Sequence, residues 1–364
     1  MDFSDLEAIY RKWLHLEHDP HLLRLLYASF LANKFDGPPV WTILVGPAGA
    51  GKTELLLSLT GSPEIIAVSN LTPYSLATGF GDGSESLLHR LDGNVLVVED
   101  MSAITEMPKE GRSMLFSFLR AAYNGEFTRV TGRNTVEWRG KFGMLAGATL
   151  ALEHGKASET SLGERFLNIR LRVSAKQERQ MLAAARTMVD KRSIMKAELA
   201  AAAAEFLDKV RVDNSTRKLH ADLVELIENA AITLSRARSG VIRDNYSKDL
   251  MFPVESSEIG TRLQGQFILL ALAARAMGTD WPFIGEMIYR IMLDSIPYVR
   301  LKVIQAVHQG YTKLKDITEY AAMSGTVTQR IIEELRMLGI LERNTRQVYS
   351  IAHPIIRDAL EVAG

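Results

Sequence analysis

The sequence predicts an α/β protein: a parallel sheet flanked by helices, then a helical region, then a C-terminal domain of helices and one hairpin. Three patterns carry that expectation. Between Val40 and Val173 short apolar runs alternate with helical stretches. From residue 175 to about 250 the apolar spacing is helical throughout. Beyond residue 296 the order becomes helix, helix, turn, helix, hairpin.

A chain of 364 residues corresponds to two or three domains at about 150 residues each. Four segments follow: an N-terminal helical segment, 1–36; the sheet domain, 37–174; a helical region, 175–295; and the C-terminal domain, 296–364. Apolar residues at 47% and charged residues at 24% exclude wholesale disorder. No run of about 18 apolar residues predicts a membrane span, and the acidic start Met1-Asp2-Phe3-Ser4-Asp5 does not resemble a secretory signal. The absence of cysteine excludes disulfides, thiolate metal sites and a cysteine nucleophile, and suits a reducing cytoplasm. Because 43 basic residues balance 43 acidic ones, any contact with nucleic acid must come from local patches.

Taken in order, Leu6, Ile9, Tyr10 and Leu14, then Leu22, Leu23, Leu26 and Leu31, mark two helices separated by Pro20. Five strands are expected at Val40–Val45, Ile65–Ser69, Val95–Val98, Met144–Ala148 and Phe166–Leu171. Their near-continuous apolar character indicates a parallel sheet covered on both faces. The alanine run 200–204 reads as helix. A break at Met251-Phe252-Pro253 through Gly260 precedes helices at Thr261–Ala276 and Pro282–Ser295. Helices at Pro297–Gln309, Lys315–Ala322 and Thr326–Leu338 and the strands Ile340–Arg343 and Val348–Ile351 then give the order of a winged helix-turn-helix. His15, His18 and His21 cluster, but Pro20 breaks the helix that would align them, and no zinc site is expected.

The strongest motif is Gly46-Pro47-Ala48-Gly49-Ala50-Gly51-Lys52-Thr53, which follows the strand run Thr42–Val45 and opens the helical run that begins Glu54-Leu55. This is G-x-x-x-x-G-K-T in the strand-to-helix context that a phosphate-binding loop requires. Glycines let backbone amides converge on phosphates, and the helix start adds a favourable dipole. Lys52 would reach the β- and γ-phosphates of ATP, and the Thr53 hydroxyl would hold Mg²⁺. A nucleotide hydrolase also needs a carboxylate on a neighbouring strand. Val95-Leu96-Val97-Val98 ends in Glu99-Asp100, so either acid is a candidate for the metal side, and the other for organising water.

Three further stretches carry a resemblance: Leu162-Gly163-Glu164-Arg165-Phe166 before the fifth strand, Met144–Thr149 along the fourth, and Glu258-Ile259-Gly260-Thr261-Arg262-Leu263 at the start of an apolar helix. With the phosphate loop, they resemble AAA+ ATPases over roughly residues 35–295, in particular minichromosome-maintenance-like helicases and related phage and plasmid ATPases. The stretch Leu31–Trp41 is also similar to ATPases encoded by such mobile elements. The resemblance implies an arginine finger at Arg165, serving the ATP site of a neighbouring subunit, and therefore a homo-oligomer, a hexameric ring. It implies sensor 1 at Thr149, where the family often has asparagine, and sensor 2 at Arg262, with Arg217 as a rival. Asn70, closing the second strand, is similar to the family's polar residue that couples ligand binding to the catalytic acid.

Residues 127–141 alternate around Gly132-Arg133-Asn134 as a β-hairpin, placed where AAA+ helicases point a hairpin into the ring channel. Arg129, Arg133, Arg139 and Lys141 face only Glu126 and Glu137, so single-stranded DNA tracked through its phosphates is the expected occupant. The glycine-rich stretch Leu71–Leu91 is a second candidate channel loop. In the C-terminal domain Thr328 and Arg330 open the expected recognition helix, and Arg346 lies on the wing, which suits duplex DNA. From Leu293 onward nine basic residues face eight acidic ones, a margin too thin for strong duplex binding by charge alone. The functional expectation is an ATPase coupling hydrolysis to DNA translocation or remodelling. An ATP-switched adaptor or loader and a protein-remodelling ATPase stand as alternatives. The latter would favour an aromatic channel residue over Arg133.

Overall fold

The computed structural model describes residues 1–15, 19–76, 86–130, 135–152, 165–215, 218–244, 250–253, 259–344 and 348–363. They gather into two compact units, Met1–Lys218 with Leu269–Thr279, and Leu219–Ile268 with Asp280–Gly364. The packing thus joins the N-terminal helices and residues 175–218 to the sheet domain.

The first unit begins with α1 (Phe3–Leu14), whose capping box is made by Asp2 and Asp5, and α2 (Leu22–Leu31). Then come β1 (Trp41–Val45), α3 (Lys52–Ser58), β2 (Ile65–Val68), the short α4 (Pro73–Leu76) and α5 (Leu87–Leu91), and β3 (Val95–Val98). The 15-residue α6 (Lys109–Tyr123) leads into the paired strands β4 (Glu126–Val130) and β5 (Thr135–Arg139), followed by β6 (Gly143–Ala148) and β7 (Phe166–Arg170). Two more helices, α7 (Ala175–Met188) and α8 (Arg192–Lys209), follow.

Five strands form one sheet in the order β2-β3-β6-β1-β7, and every neighbouring pair is parallel. Alternate residues explain how both faces become covered. Trp41, Ile43 and Val45 of β1, with Leu96, Val98, Met144 and Phe166, share a core with Leu115, Leu119 and Tyr123 of α6. Trp41 anchors that core, fully buried, with its ring centroid 5.0 Å from Tyr123, 5.2 Å from Phe142 and 5.3 Å from Phe166, and its indole N–H donating to the Phe142 carbonyl. Truncating such a residue to alanine costs about 3–5 kcal/mol. The opposite face carries α3. Its C-terminal end is held from below: Tyr10 of α1 donates to Ser58, and the Tyr10 and Tyr27 hydroxyls lie 2.9 Å apart. Burial pushes the Tyr10 phenol up to about 12.

The second unit holds α9 (Ala221–Arg238), the antiparallel pair β8 (Val241–Arg243) and β9 (Leu250–Pro253), and α10 (Thr261–Ala276), which contributes residues to both units. It continues with α11 (Trp281–Ser295), α12 (Tyr298–His308), α13 (Leu314–Ala321), α14 (Gly325–Met337), β10 (Leu341–Arg343), β11 (Tyr349–Ile351) and α15 (Pro354–Ala363). The described residues between α8 and α9, 210–215 and 218–220, are not helical, contrary to the sequence expectation, and two elements also depart from it. The β8/β9 ribbon interrupts residues expected to be helical up to about 250, because strands of three and four residues are too short to disturb a helical window. Helix α15, not expected, buries Ile356 and Ala359 and extends the chain beyond the hairpin. Among the described residues no helix is long and apolar enough to cross a membrane.

Candidate functional site

The parallel register decides which side chains meet. Val45 of β1 pairs with Ala148 of β6, and Val98 of β3 pairs with Ala146, so the segments leaving β1, β3 and β6 emerge at one edge of the sheet. In open α/β sheets ligands bind outside the carboxyl ends of the strands. Here those segments carry the loop 46–52, the acids Glu99 and Asp100, and Thr149.

Gly46 is held to the sheet through its amide, which donates to the Ala148 carbonyl, and Pro47 accepts from the Ala50 amide. Gly49 and Gly51 have φ of +79° and +80°, the left-handed conformation that other residues rarely adopt, while Ala48 and Ala50 need no such freedom. The Lys52 ammonium reaches back across the loop to the carbonyls of Gly46 (2.9 Å) and Pro47 (2.7 Å). Burial pulls the Lys52 pKa down, and the Asp100 carboxylate opposes that shift. Thr53 is half-buried beside it in the first turn of α3, and Glu54 is ion-paired with Arg192 at 2.9 Å.

The two acids have different partners. The Ser69 hydroxyl donates to Glu99 at 2.9 Å, whereas the Ser102 amide donates to Asp100 at 2.7 Å. The contact from the end of the second strand to Glu99 is made by Ser69, the residue before Asn70. Ser102 also accepts from the Thr149 amide at 2.8 Å, and the two hydroxyls lie 3.1 Å apart. Sequence reasoning missed Ser69 and Ser102, small hydroxyl residues that carry no motif. It also missed Gly147, where a Cβ would stand 2.5 Å from the Glu99 carbonyl oxygen; its absence lets β6 lie against the acidic turn.

Neither a family model nor a curated protein matches the chain.

Arg165 stands apart from this edge. Arg165 precedes Phe166, which pairs with Trp41 at the other end of β1. Five residues of strand, roughly 16 Å at about 3.3 Å per residue, separate it from the loop. It is 9% exposed, with its guanidinium carbon 5.6 Å from the Tyr123 ring centroid. Arg262 stands half-buried in the first turn of α10, in the second unit. Arg217, Gly163 and Glu164 lie outside the described residues.

The hairpin cations disperse. In the β4/β5 pairing Phe127 faces Trp138 and Arg129 faces Val136, so Arg129 shares the core-side face, 5.3 Å from the Phe118 ring centroid. Arg139 stands on the solvent face across from Glu126, 3.8 Å away. Lys141 falls beyond β5 and donates to the Phe35 carbonyl, while its amide is held by Asp92. Arg133 lies outside the described residues, as does most of the glycine-rich stretch. The described solvent face therefore carries Glu126 and Glu137 against Arg139, and the basic hairpin expected from composition does not form from these residues.

In the C-terminal segment Thr328 is fully buried and donates to the Ser324 carbonyl, so it cannot meet a base edge. Arg330 is exposed, and Arg346 lies outside the described residues. Arg300 is buried, bonded to the Ala237 and Ser239 carbonyls and to Glu334. A groove of about 610 Å³ runs beside α14 and β10, between Arg336, Met337 and Arg343.

Proposed function

We propose that this chain is a P-loop ATPase of the AAA+ kind that binds ATP and Mg²⁺ at the 46–53 loop. In this reading it works as a homo-oligomer, a hexameric ring, to translocate along or remodel DNA, with a helical lid and a C-terminal winged helix. One observation carries the reading: the loop, Glu99, Asp100 and Thr149 share one edge of a parallel sheet.

The residues present suit the ligand. Lys52 supplies a cation for the β- and γ-phosphates, and the Thr53 hydroxyl with the two carboxylates offers the hard oxygens that Mg²⁺ takes. Among the described residues no group of three or more histidine, aspartate or glutamate side chains could hold a metal alone. A bound Mg²⁺ would therefore also draw on phosphate oxygens and water. Bound there, the metal neutralises charge on the transferring phosphoryl group. The chain's own contribution is to fix the acids through Ser69 and Ser102 and to keep Lys52 partly desolvated. Arg165, at the far end of β7, would serve only another subunit's nucleotide, which favours an oligomer.

The test is equilibrium binding of a fluorescent ATP analogue together with phosphate release. Wild-type protein binds and hydrolyses; Lys52→Ala loses turnover. A folded wild-type chain that binds no ATP in the presence of Mg²⁺ overturns the reading. The second reading, an ATP-switched adaptor or loader that does not translocate, is favoured by the absence of a cationic excess on the described solvent face of the hairpin and by the burial of Thr328. Strand displacement on a forked duplex separates the two.

A further inference from the structure

The acidic pair Glu99-Asp100 is symmetric in sequence terms but not in its surroundings. Glu99 is tied to β2 through Ser69. The Asp100 amide also donates to the Ser69 carbonyl, but its carboxylate accepts from the Ser102 amide two residues on, closing an Asx turn. That turn is anchored to β6 twice. The Met101 amide donates to the Gly147 carbonyl at 2.7 Å, and the Ser102 hydroxyl receives the Thr149 amide. Thr105 then donates to the Ser102 carbonyl, fixing the following turn. Ser102 thus contacts both the Asp100 carboxylate and Thr149, through its backbone on one side and its side chain on the other.

Resting on the ATPase reading above, we infer that Ser102 is a positioning residue that couples Thr149 to Asp100, so that Asp100 rather than Glu99 is the acid linked to the end of β6. The coupling is mechanical. A shift of Thr149 against a bound phosphate moves the Ser102 side chain, and the same residue's amide carries the carboxylate with it. Glu99, bound to the neighbouring strand, follows β2 instead. Displacing a catalytic group by about an ångström costs on the order of a hundredfold in rate, so even a small slackening of this link is measurable.

Ser102→Ala removes the hydroxyl and keeps the amide. Its kcat for ATP is expected to fall about ten- to a hundredfold, while the affinity for a non-hydrolysable ATP analogue stays within about twofold of wild type. Ser102→Thr, which retains the hydroxyl, restores turnover. Amide hydrogen exchange of the nucleotide-free protein gives a readout that needs no activity: residue 149 loses protection in Ser102→Ala, and residue 102 loses it in Asp100→Ala but not in Glu99→Ala. If Ser102→Ala hydrolyses ATP at the wild-type rate, or residue 149 stays protected in it, the coupling is overturned while the ATPase reading survives. If the wild-type chain itself binds no ATP, both fall together.

Discussion

The carboxyl edge of the sheet and the β4/β5 hairpin each gather chemistry-bearing residues in the sequence, yet they fold to opposite outcomes. At the sheet edge, residues from 46 to 149 come together because hydrogen-bonded parallel register leaves each strand one place to end. In the hairpin, the three described cations, close in sequence, separate: a strand sends alternate residues to opposite faces, which divides Arg129 from Arg139, and Lys141 falls beyond β5. Arg129 covers an aromatic ring, Arg139 meets Glu126, and Lys141 is spent on a backbone carbonyl. Sequence proximity in a strand is therefore a poor guide to a shared surface, whereas strand ends in a parallel sheet are a good one.

Three substitutions break or sharpen that contrast. The largest effect is expected at Arg165. If the residue completes a neighbour's site, Arg165→Ala lowers ATP turnover on the order of 10³-fold with ATP affinity retained. Unchanged turnover with a lower melting temperature would reduce its role to packing on Tyr123. Next is Gly147→Ala, whose added methyl meets the Glu99 carbonyl oxygen. It should destabilise the fold by about 1–3 kcal/mol in denaturant titration, and the shift of the acidic turn should depress hydrolysis further than stability alone explains. A variant as stable and active as wild type would show that the edge tolerates slack. The smallest effect belongs to Arg139→Ala. Its ion pair with Glu126 is 85% and 74% exposed at the two side chains, and such pairs contribute at most about 1 kcal/mol. Single-stranded DNA affinity should change less than about fivefold, with the salt dependence of binding unaltered. A loss beyond tenfold with a shallower salt slope would restore the hairpin as a phosphate-tracking element.

How much was legible follows the same division. All five sheet strands begin and end within a residue or so of their expected bounds, because near-continuous apolar runs bordered by polar turns leave little choice. The loop 46–53 was legible because Gly49 and Gly51 stand where the backbone turns left-handed. The β8/β9 ribbon was hidden by its brevity. Helix α15 was overlooked although Ile355, Ile356, Ala359 and Leu360 have helical spacing. Ser69, Ser102 and Gly147 were invisible, since their roles arise from contacts with residues about 30 to 50 positions away.

The sequence alone determined the local objects: five apolar strands, the glycine-bearing loop, the acidic pair and the order of the C-terminal helices. Each follows from near-neighbour chemistry, where backbone freedom, side-chain volume and periodicity act within a few residues. Only the tertiary structure decided which of these objects touch. Placing β6 between β1 and β3 set Thr149 beside Ser102 and gave the two acids different partners, and packing turned Arg129, Lys141, Arg300 and Thr328 inward. Such pairings depend on strand order and on which face a residue presents once the core closes, and those are properties of the assembled chain.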